Sequence, residues 1–151
     1  MSIRRKILLG LSVAAVGLLA QTANASAAVR PMTFDECGTN GGSGVYNCMY
    51  ISGGGLSATE IRGWSTDFSH LISGAYGTDV LVHEEVTAPN GTICNSDTVT
   101  LSSSDQIVSC QLEPGGSFPI AAGTYCSILW WYDRGAGAYE NLAENCGTAS
   151  S

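Results

Sequence analysis

The chain has 151 residues, six cysteines, 19 glycines and a formal net charge of −7, with three of its six basic residues packed into Arg4, Arg5 and Lys6 at the very start. So little basic surface is left elsewhere that a nucleic-acid or anionic-membrane partner is excluded, since both need Lys and Arg to displace counterions. No nucleic acid and no membrane are expected as partners.

The basic cluster is followed by an uncharged apolar run, Ile7–Ala20, and then by Ala23-Asn24-Ala25-Ser26-Ala27. Basic start, apolar middle and small-residue cleavage site are the order of a secretory signal peptide. The run is 14 residues long, short of the roughly 20 that span a bilayer. Cleavage after Ala25 or after Ala27 satisfies the small-residue rule; taking Ala27, residues 1–27 form the signal peptide and 28–151 a secreted, extracellular domain. That domain has 124 residues and no lysine, and its Arg30, Arg62 and Arg134 stand against 13 acidic residues, a formal charge of three minus thirteen, −10.

Beyond Val45 the chain is made of short β-branched and aromatic segments separated by Gly, Ser, Asn and Asp clusters, the pattern of successive strands. Predicted strands are Val45–Ile51, Thr59–Trp64, Asp79–Thr87, Thr98–Leu101, Gln106–Leu112, Thr124–Tyr132 and Ala138–Ala143. Asp67–Gly77 reads either as one helical turn carrying Phe68, Leu71 and Ile72 or as an irregular loop. The fold class is all-β, a single antiparallel β-sandwich of about seven strands with three disulfides.

Alternation assigns faces. In Gln106–Leu112, Val108, Cys110 and Leu112 point to the core and Ile107, Ser109 and Gln111 away from it. In Thr124–Tyr132, Cys126, Ile128, Trp130 and Tyr132 share one face and Tyr125, Ser127, Leu129 and Trp131 the other. Placing the first set in the core leaves Trp131 beside an exposed Tyr125, a flat apolar strip suited to a sugar ring or a partner side chain. The alternative covers both faces and buries Trp131. A symmetric hairpin about Gly135 sets Tyr132 opposite Tyr139.

All six cysteines follow the expected cleavage site, as in a disulfide framework built in an oxidising compartment. Pairing neighbours in sequence centres each pair on a turn: Gly41-Gly42-Ser43-Gly44 for Cys37–Cys48, Ser102-Ser103-Ser104-Asp105 for Cys94–Cys110, and Arg134-Gly135-Ala136-Gly137 for Cys126–Cys146. Facing residues of a hairpin come close enough for such a bond. The rival Cys110–Cys126 pair is centred beside Pro114-Gly115-Gly116 and stays open.

Catalytic templates fail at named positions. His83-Glu84-Glu85-Val86 is followed by Thr87 where a zinc-protease helix needs a second histidine, and His83 and Glu85 read instead as the solvated face of a strand. Gly41-Gly42-Ser43-Gly44-Val45 lacks the last glycine of a nucleophile elbow. Paired cysteines offer neither a nucleophile nor thiolate ligands. Asp133, Glu140 and Glu144 could serve a carboxylate glycosidase, and Asn90, Asn95, Asp97 and Asp105 crowd loops without matching a calcium consensus. No catalytic residue, metal or cofactor is assigned.

Tyr46-Asn47-Cys48-Met49-Tyr50-Ile51-Ser52-Gly53-Gly54 resembles the opening of small secreted domains related to crystallin-like peptidase inhibitors. The resemblance covers nine residues and carries over no inhibitory residue. The function expected from the residues themselves is non-catalytic binding of a polysaccharide or cell surface, with Trp131, Tyr125, Tyr139, Asp133 and Arg134 as the ligand-binding set. Inhibition of a secreted hydrolase is the alternative, its partner then being a secreted protein, and a small glycosidase the third reading.

Overall fold

A computed structural model describes residues 34–40 and 42–151, so the expected signal peptide, 1–27, lies outside the described residues. Within them the short alternating segments form ten strands: β1 Phe34–Thr39, β2 Tyr46–Gly54, β3 Ser57–Thr66, β4 Leu81–Ala88, β5 Gly91–Asn95, β6 Val99–Thr100, β7 Val108–Leu112, β8 Phe118–Pro119, β9 Gly123–Asp133 and β10 Ala138–Ala149. Three of these, β1, β5 and β8, are absent from the sequence reading. β1 shows most of its side chains to solvent and is held by backbone pairing to β2. No apolar period announces such an edge strand.

The strands form two antiparallel sheets, β1-β2-β3-β7 with β8 beside the N-terminal end of β3, and β10-β9-β4-β5 with β6 beside the N-terminal end of β4. β1 and β2 lie against β10, β2 and β3 against β9, and β7 against β4 and β5. This is the expected sandwich, with the core between the sheets.

That core has two apolar compartments. One gathers Val45, Phe68, Leu71, Val82, Val108 and Leu129; the other gathers Met49, Ile51, Ile61, Val86, Cys110 and Tyr125. The segment left open between helix and loop contributes a short helical turn, Leu71–Ala75, which closes one end of the first compartment. Phe68 and Leu71 are fully buried there, each stabilising by about 2–3 kcal/mol, while Ile72 stays exposed.

Between the compartments lies a polar belt of Asn47, Ser65, Glu84 and Ser127, all buried. The Glu84 carboxyl accepts from Ser127 Oγ at 2.5 Å, Ser65 Oγ at 2.7 Å and Asn47 Nδ2 at 3.1 Å. Burial pushes its acid up to about 7, against those three hydrogen bonds, which favour the ionised form. Gly63 makes room for the belt: a β-carbon there would lie 2.5 Å from Ser127 Oγ and 2.7 Å from Val86 Cγ2.

The disulfides have the expected partners, Cys37–Cys48, Cys94–Cys110 and Cys126–Cys146. Two of them join directly facing residues of adjacent strands, with Cα separations of 4.1 and 4.0 Å. The third corrects the hairpin geometry expected of it. Cys94 lies on β5 and Cys110 on β7, in different sheets, because the chain crosses between layers in the intervening residues. Its Cα separation is 5.9 Å, and it staples one sheet to the other.

Candidate functional site: an aromatic face and an adjoining cleft

β9 decides which aromatics meet solvent. Its inward face, toward the first sheet, runs Tyr125, Ser127 and Leu129, all buried, and then Trp131, half-buried against the first compartment. Its outward face therefore carries Cys126, Ile128, Trp130 and Tyr132. The strip expected from Trp131 and Tyr125 is thus corrected, and the two faces exchange roles. The alternative, in which Trp131 is covered, describes β9 better, and Cys126 lies outward because a disulfide between adjacent strands can sit on either face.

Tyr125 is only 2 % exposed and donates its hydroxyl to the Ala121 carbonyl at 3.0 Å; burial raises its phenol, opposed by that hydrogen bond. It lies in the second compartment, apart from the other four expected residues, which occupy the β9–β10 hairpin.

That hairpin turns through Arg134–Gly137, where the Asp133 carboxylate accepts from the Gly135 N–H at 2.7 Å and its carbonyl from the Gly137 N–H at 2.7 Å. Gly137 has φ +67°, a conformation that favours glycine. The turn sets Tyr132 opposite Tyr139, as expected. A β-bulge at Leu142 then shifts the register between Asn141 and Ala143, so Tyr139 points outward although Ala143 and Ala149, of the same parity, are buried.

On the outward face β4 brings His83 directly opposite Trp130. Four rings form a ladder: His83 stacks with Trp130 at 6.4 Å between centroids, His83 meets Tyr139 edge-on at 4.5 Å, and Tyr139 meets Tyr132 at 5.2 Å. Trp130 Nε1 donates to Glu85 Oε2 at 2.5 Å, and Thr92 Oγ1 donates to Oε1 of the same carboxylate. The Tyr139 and Thr98 hydroxyls are hydrogen-bonded at 3.0 Å. Burial lowers the His83 pKa, with the Glu85 charge opposing, which favours an uncharged ring.

Around the hairpin edge lies a cleft of about 370 Å³ lined by Tyr76, Asp79, Trp131, Tyr132, Asp133 and Arg134. Tyr76 and Trp131 meet nearly at right angles, 5.0 Å between centroids. Arg134 Nη2 donates to the Asp79 carbonyl at 3.2 Å, tying the hairpin tip to the loop after the helical turn. The structure thus brings Trp131, Asp133 and Arg134 into one cleft and puts Tyr139 on the adjoining ladder.

Sequence reasoning missed His83, Glu85, Trp130 and Tyr132 as a group. The outward placement of His83 and Glu85 was legible from alternation; the pairing of β4 with β9, which brings them to Trp130, was not. Among the described residues one group of three His, Cys, Asp or Glu side chains converges at ligand distance, Cys126, Glu144 and Cys146. Its two sulfurs are bonded to each other and offer no thiolate. Of the acids considered for glycosidase chemistry, Asp133 holds its turn and Glu144 accepts from Asn141 Nδ2 at 2.9 Å.

No family model matches the chain, and no curated protein or solved structure matches it.

Proposed function

We propose that the chain is exported from the cell as residues 28–151 and acts there as a non-catalytic binding protein, holding a polysaccharide on the outward face of β4, β9 and β10. The observation that carries this reading is the ladder of His83, Trp130, Tyr132 and Tyr139 on the solvent side of a sheet. Large rings left on a surface despite a complete core beneath them cost solvation that a ligand recovers. Sugar rings present flat C–H faces to such rings, while a polar rim of Glu85 and Thr98 offers acceptors and donors to hydroxyls.

Three disulfides support export to an oxidising compartment. Among the described residues no helix is long and apolar enough to cross a membrane.

The test is retention on insoluble cellulose, chitin and cell-wall material by the oxidised protein, beside Trp130→Ala and Tyr139→Ala. Wild-type protein is retained on at least one of them, and both variants lose that retention while melting as cooperatively as the parent. Tyr139 is 39 % exposed, so its replacement separates binding from folding. Undiminished retention of both variants overturns the proposal.

A further inference from the structure

The cleft and the ladder are not separate surfaces, because Tyr132 belongs to both. The cleft volume, about 370 Å³, lies at the small end of ligand pockets, about 300–1,000 Å³, and suits one ring-sized unit. The ladder is open and runs across three strands. A ligand that fills the cleft therefore has a continuous aromatic path onward over Tyr132 to Tyr139, His83 and Trp130.

We infer that the cleft is a second subsite for the same polysaccharide, and that the ligand is a hydroxyl-rich chain without acidic groups, engaged over several units. This rests on the polysaccharide reading of the ladder and adds the cleft and the charge class. The polar groups around the cleft are mixed: Arg134 supplies donors, and Asp79 and Asp133 supply acceptors. Hydroxyls, which donate and accept, match that mixture. A uronic-acid chain would meet Asp79 and Asp133 here, Glu85 along the ladder, and a domain carrying −10 overall.

Calorimetric titration with cello-oligosaccharides and fully N-acetylated chito-oligosaccharides, from disaccharide to hexasaccharide, tests this, and binding of neither series overturns the inference. Affinity rises at least tenfold between the shortest and longest, and Arg134→Gln combined with Asp79→Asn abolishes that rise. Both replaced side chains are exposed, so the fold is retained. If the double variant keeps the full length dependence while Trp130→Ala loses all binding, the cleft inference fails and the ladder stands. Trp130→Ala and Tyr139→Ala both binding like the parent sinks the ladder reading itself. Tighter binding of polygalacturonate than of any neutral chain overturns the charge class.

Discussion

Trp130 and Glu85, 45 residues apart in sequence, meet on neighbouring strands with the indole N–H 2.5 Å from a carboxylate oxygen. A hydrogen bond to an ionised acceptor is roughly twice as strong as a neutral one, and it fixes the plane of the largest ring on the outward face. Glu85→Ala frees that ring. The expected outcome is a several-fold weaker affinity for the retained polysaccharide, a stability loss of about 1 kcal/mol and a red-shifted tryptophan emission, read in a variant lacking the other two tryptophans. Unchanged emission and affinity would remove Glu85 from the site.

Glu84 gives the sandwich a pH-dependent stability. Its acid is pushed up to about 7 in the folded protein from an ordinary value of 4.5, so the folded state binds the proton more tightly than the unfolded chain. The contribution is fully present below about pH 4.5, declines as pH rises toward 7, and is lost above it. The loss amounts to about 3 kcal/mol at neutral pH. Glu84→Gln removes this titration: urea denaturation shows the wild type losing stability relative to the variant between these limits. A pH-independent difference would contradict the assignment.

Gly63 sits where the polar belt approaches the first sheet, and a β-carbon there would meet Ser127 Oγ and Val86 Cγ2 inside contact distance. Overpacking of this kind costs about 1–3 kcal/mol. Gly63→Ala is expected to lower the unfolding free energy by that amount in urea denaturation, whereas Gly116→Ala, with nothing within 4 Å of its β-carbon, leaves it unchanged.

The Cys94–Cys110 bond closes a loop of 16 residues between the sheets. Replacing both cysteines by alanine is expected to cost about 3 kcal/mol on the loop-entropy estimate. Amide exchange separates this staple from the other two, since β5 and β7 lose protection together while β9 and β10 keep theirs. Uniform loss over all strands would show that the sheets do not open at this edge.

Residue types and their spacing were enough to determine that the chain is an acidic, disulfide-linked β-sandwich, because alternation, turn residues and cysteine intervals are local properties. The pairing of Tyr132 with Tyr139 was legible for the same reason, as one short turn sets it. The facing of β9 was not: an alternating strand with apolar residues on both sides has two self-consistent placements, and only contact with the opposite sheet chooses Tyr125 and Leu129 for the core. The alternation that turns His83 and Glu85 outward also turns Glu84 inward, but what satisfies its buried carboxyl was not legible, since its partners Asn47, Ser65 and Ser127 arrive from three other strands. The aromatic face likewise exists only once β4 lies beside β9 and the bulge at Leu142 turns Tyr139 outward. Sequence supplied the rings, and long-range strand pairing, which no local pattern encodes, gathered them on one surface.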